Sequence, residues 1–156
     1  MSEILDVSDV LPNHIILIRN AIKTMMVAEP MLKDIKGWHN VIASERGFGF
    51  PYGYVIFKQR NPIKEKHDIA SFEYAYQFQI GIVVEFNSTN DNVIDDKALD
   101  LINLVESVLT KNGTLLGTAD LDYFEKQLIN EDLGFLPNKR HLALRVNYTN
   151  SVANET

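Results

Sequence analysis

Apolar and polar positions alternate readably in four stretches of the chain, and these predict two helices and a set of strands. Ile15, Ile18, Ile22, Met25 and Met26 fall three and four residues apart, with Arg19, Asn20 and Lys23 off that stripe. Such spacing gives one apolar face on an amphipathic helix. Pro12 opens it at a position where a missing donor does no harm, and Pro30 ends it. A second stripe, Ala98, Leu101, Ile102, Val105, Val108 and Leu109, predicts a helix from about Asp96 to Lys111. Asp95 is its expected N-cap, Ile94 and Leu99 stand at the spacing of a hydrophobic staple, and Asn112-Gly113 stops it.

Between the helices the period changes to two. Phe72, Tyr74, Tyr76, Phe78, Ile80, Ile82, Val84 and Phe86 take every even position; Glu73, Ala75, Gln77, Gln79, Gly81, Val83 and Glu85 take the odd ones. The pattern describes a strand with one buried and one largely wetted face. At ~3.3 Å per residue it spans roughly 50 Å, against ~17–20 Å for an ordinary strand. Either Gly81 marks a bulge that bends the strand, or the aromatic first half overhangs the core and another subunit covers it. The second is favoured, because a solvent-exposed aromatic ladder would aggregate. A closing strand places Leu142, Leu144, Val146 and Tyr148 inward and His141, Arg145 and Asn147 outward. Residues 31 to 70 read as glycine- and proline-rich loops around short strands, the clearest from Tyr54 to Lys58. Residues 114 to 140 read as a strand and then a loop. The order of elements predicts an α+β fold: a mostly antiparallel sheet, a long central strand, and two amphipathic helices packed on one face.

A chain of 156 residues, 46% of them hydrophobic, is expected to form a single domain, 1–156: an N-terminal arm (1–11), a globular core (12–150) and a flexible tail (151–156). The formal charge of −6 is a poor footprint for gripping nucleic-acid phosphates or an acidic membrane. The absence of cysteine removes disulfides, thiol nucleophiles and cysteine metal sites. No basic residue precedes Arg19 and no long apolar run exists, so neither a secretory signal nor a membrane span is expected.

Arg46-Gly47-Phe48-Gly49-Phe50 matches the first five positions of the ribonucleoprotein octamer, in which aromatics stack bases. The match then fails, with Pro51 at the sixth position and Gly53 at the eighth. Such a proline would break a central strand's ladder. His14, His39, His67 and His141 are scattered without metal-ligand spacing, and Asp91, Asp95 and Asp96 lack the glycine and glutamate of an EF-hand loop. Glu73 and Glu85 lie too far apart along the strand to act as a pair. No catalytic, cofactor-binding or metal residue is therefore assigned, and the chain is not expected to be an enzyme.

The early helix from Ile15 to Met26, the strand ending Phe78-Gln79-Ile80-Gly81-Ile82-Val83-Val84, and the helix from Ala98 to Leu109 occur in a telling order. Asn112-Gly113-Thr114-Leu115-Leu116-Gly117 and a final Leu142 to Tyr148 strand follow them. This arrangement resembles the tail terminator, or tail completion, proteins of long-tailed phages, over roughly residues 12 to 150. The resemblance implies a virion protein assembled in the host cytoplasm into a homo-hexameric ring. That ring would cap the head-proximal end of the tail tube, meeting the tail tube protein on one side and the head connector protein on the other. DNA would pass through without specific binding, with no cofactor, metal or membrane involved. Two alternatives stand beside it: another head-tail connector or tube component, and a single-stranded nucleic-acid binder using the Arg46 to Phe50 loop. In the assembly reading, Phe72, Tyr74 and Tyr76 of the overhang, with Phe48, Phe50 and Tyr52 of the glycine loop, are the expected interface residues, because large aromatics anchor interfaces.

Overall fold

The computed structural model describes residues 4–42, 48–63, 74–85, 91–121, 126–130 and 139–149. Arg46, Gly47, Phe72, Phe86 and the expected tail lie outside them.

Helix α1 runs from His14–Ala28, two residues later than the proline suggests. Asn13 is its cap: the side-chain Oδ1 accepts from the Ile16 amide at 3.2 Å, so Pro12 precedes the helix instead of opening it. Glu29 closes α1 and caps the short 3-10 turn Pro30–Leu32 with its carboxylate. Ile18, Ile22 and Met26 are fully buried, with Ile15 and Met25 packed against them. Each such buried side chain stabilises the fold by about 1.5–3 kcal/mol. Helix α2 spans Asp91–Lys111 and begins earlier than expected. Asp95 is therefore no cap; it lies a turn inside the helix and pairs with Arg140 at 3.0 Å. Leu99 is exposed, whereas the whole stripe from Ala98 to Leu109 is buried.

The strands are β1 (Trp38–His39), β2 (Tyr52–Pro62), β3 (Tyr74–Glu85), β4 (Asp120–Leu121), β5 (Gln127–Asn130) and β6 (Lys139–Thr149). They form one sheet in the order β1-β2-β3-β6-β4, with β5 also pairing β6; all pairings are antiparallel except β1 with β2. The α+β expectation holds, with α1 and α2 packed on the same face of the sheet in one core. β2 is more than twice the length its apolar residues announced, and residues 127–130, read as loop, pair with β6 as β5.

Among the described residues the central strand does not overhang. β3 is paired along its length on both sides, from Tyr52↔Val83 to Pro62↔Tyr74 with β2 and from Ala75↔Thr149 to Glu85↔Lys139 with β6. Gly81 carries no bulge either, since the register shift falls in β2 between Phe57 and Gln59. The far end of the sheet is covered from within: the His14 ring lies 6.3 Å from the Tyr76 ring, and the 3-10 turn Leu115–Gly117 leads into β4 beside Tyr148. Leu115 and Ala119 are fully buried there. Leu115 holds a left-handed φ of 44, a strain its burial maintains, and Gly117 follows at φ 84.

Candidate assembly surface

Alternation predicts a largely wetted side of the sheet away from the helices; its ends are part-exposed, but its middle is buried. Tyr52, Tyr54, Gln79, Val83, His141 and Ala143 are all buried. Register puts Tyr54, Gly81 and Ala143 in one row across β2, β3 and β6, with His141 and Gln79 in the flanking rows. The Tyr54 ring lies over Gly81, where any Cβ would overlap it; that close approach is what glycine supplies in mid-strand. Its hydroxyl reaches His141 Nε2 and accepts from Gln79 Nε2 at 2.8 Å. Arg145 Nε donates to Gln79 Oε1 at 3.2 Å. Polar groups thus satisfy one another beneath the sheet, which is how a polar face is buried without a large penalty. No group of residues able to hold a metal ion occurs among the described residues.

Of the expected interface residues, Tyr52 and Tyr76 are enclosed in the isolated protomer, at 0% and 2% exposure. This corrects the expectation that neighbours must shelter them. Phe48, Phe50 and Tyr52 form one ring cluster: His39 stacks on Phe48 at 3.5 Å between centroids, and both phenylalanines lean on Tyr52. Burial and the nearby Lys23 hold His39 below its ordinary pKa. Tyr74 is partly covered at the opposite end of the sheet, under the Arg60 guanidinium at 4.2 Å. The two groups therefore do not come together. Phe72 lies outside the described residues. Phe48 is already stacked within the protomer, which removes one face from the base-stacking role the glycine loop suggested.

Beyond Tyr54 the outer edge of β2 has no partner strand among the described residues. It carries a bulge, Lys58 and a terminal Pro62, devices that blunt an edge against pairing.

No protein-family model matches the chain, and no curated protein matches it significantly.

Apolar surface is exposed somewhere else. Of the twelve large apolar side chains exposed among the described residues, nine fall within the first 31 positions. Five are on the arm: Ile4 at 92%, Leu5, Val7 at 88%, Val10 and Leu11. The other four are Ile16, Leu17 and Val27 on the outer side of α1 and Met31 just after it. The arm is not shapeless, for Asp6 and Asp9 form a capping box around the 3-10 turn Val7–Asp9, yet nothing in that turn is buried. The arm's sequence mixes acidic and apolar residues without a period, and its apolar residues serve no core of their own. On α1, Lys23, Thr24, Val27 and Ala28 line a shallow depression of about 370 Å³. Burial and the neighbouring Arg19 hold the Lys23 amine below its ordinary pKa, and among the described residues no carboxylate pairs with either cation. No helix is long and apolar enough to cross a membrane among the described residues.

Proposed function

We propose that this chain is a structural subunit that assembles with copies of itself, in the tail terminator role that its arrangement of elements resembles. The observation that carries the reading is the concentration of exposed apolar side chains on the arm and the outer side of α1. A monomeric protein rarely leaves so much apolar surface together, and its place in sequence gives one subunit two separate sticky features. An arm on one side and a helix face on the other make a head-to-tail contact, and rotation that closes such a contact yields a ring. The acidic chain suits a ring around passing DNA, since it repels phosphates. A virion location and contacts with tube and head connector come with this role.

Negative-stain microscopy of purified tails with and without the protein tests it. Tail lengths become uniform and density appears at one tip when the protein is present. Unchanged length distributions with no added density refute the terminator role.

A further inference from the structure

We infer that the arm, residues 4–11, of one copy docks on the outer face of α1 of a second copy, along Leu17, Thr24 and Val27, with Asp6 and Asp9 reaching the half-buried Arg19 and Lys23 on the flank of that face. The inference rests on the self-assembly reading above and names its contact. Three observations select this pair of surfaces. The arm offers apolar side chains and carboxylates with no cation, while the helix face offers apolar side chains and two cations that no carboxylate offsets among the described residues. The dimensions agree: five residues at strand rise and the three-residue 3-10 turn reach at most about 22 Å, enough to run past the ten steps from Leu17 to Val27, about 15 Å of helix. The depression beside Thr24 and Val27 has room for branched side chains such as Val7 or Leu5. The occupant is another copy and not the same chain, because Ile4, Leu5, Val7, Val10 and Leu11 all remain exposed although their own helix begins three residues further on.

The native chain has no cysteine, so single cysteines report the contact cleanly. Val7→Cys and Thr24→Cys, at the middle of each surface and both exposed, are made in separate full-length proteins, mixed and oxidised. The mixed disulfide dimer is expected well above either homodimer. Asp6→Lys with Asp9→Lys in the arm partner lowers its yield about tenfold, and Arg19→Glu with Lys23→Glu in the helix partner restores it. No excess of the mixed dimer overturns the inference, as does indifference to charge reversal. A Val7→Cys/Thr24→Cys double variant that closes its disulfide within the monomer also overturns it, since the arm would then lie on its own helix. Tail capping by the wild-type protein is read separately, so the contact can fail while the terminator role stands.

Discussion

Tyr54→Phe removes one oxygen from the middle of the protein and leaves every carbon contact in place. The hydroxyl joins His141 Nε2 and Gln79 Nε2, and both partners are 2% exposed. Once it is gone, each loses a hydrogen bond in a place water does not reach; the Arg145 bond to Gln79 Oε1 survives, because it uses the other end of the amide. Leaving a buried polar group unsatisfied costs about 1–3 kcal/mol, and the loss is expected in that range. That is a large part of a domain's ~5–15 kcal/mol. Urea unfolding followed by tyrosine and tryptophan fluorescence reads it. With a slope of about 1–3 kcal/mol per molar, the midpoint falls by roughly 1–2 M while the slope stays constant. A double-mutant cycle with His141→Leu separates the pair's coupling from loss of packing, and a coupling above about 0.5 kcal/mol is expected. A loss under about 0.5 kcal/mol for Tyr54→Phe refutes the reasoning, because it would mean that water already serves these groups.

Gly81→Ala pushes a methyl into the Tyr54 ring and is expected to cost about 1–3 kcal/mol in the same unfolding assay; a neutral result would show that the ring moves aside freely. Tyr76→Ala empties a core position and should cost about 3–5 kcal/mol, whereas Val7→Ser with Leu11→Ser should leave unfolding within about 0.5 kcal/mol; comparable losses would contradict the burial of one and the exposure of the others. Burial, followed by Lys23, depresses the pKa of His39 from its ordinary 6.5, so the folded state resists protonating it. Its contribution to stability is complete above pH 6.5 and is lost as pH falls through the depressed folded value; His39→Gln flattens that limb of the stability-pH curve, and an unchanged limb in the variant refutes the assignment.

The helices and the helix-facing side of the sheet were legible because burial there follows a single period. Every member of the stripe from Ala98 to Leu109 is buried, as are the even positions of β3 from Tyr76 to Val84. The other side misled for a physical reason. Gln79 and His141 are polar, and polarity in alternation reads as water; here both bond the Tyr54 hydroxyl, and hydrogen bonding replaces solvent. Nothing local to β3 reports that, since Tyr54 lies on another strand. Gly81 was the visible clue, taken as a possible bend when it marks the close approach of a ring. The outer half of β2 was hidden because Lys58, Gln59, Arg60 and Asn61 have exposed side chains. Their strand character comes from pairing with β3, to which the side-chain pattern is blind.

The same logic moves the proposed assembly surface from the long strand to the arm and α1. Periodic apolar residues are the ones a protomer's own helices and sheet consume, so the long aromatic alternation was evidence for an internal core, however overlong it looked as an isolated strand. Its length is absorbed by two equally long neighbours, by the N-terminal end of α1 near Tyr76 and by the turn at Leu115. Apolar residues without a period belong to no face that the chain folds for itself. In this protein they gather between Ile4 and Leu11, next to carboxylates, and the helix that follows presents exposed apolar side chains beside cations. A surface that is costly to expose and is nonetheless exposed calls for a function that covers it. Under the proposed self-assembly, the two halves complement each other in charge, and the next copy in a closed series would cover every arm and every helix face with one repeated contact.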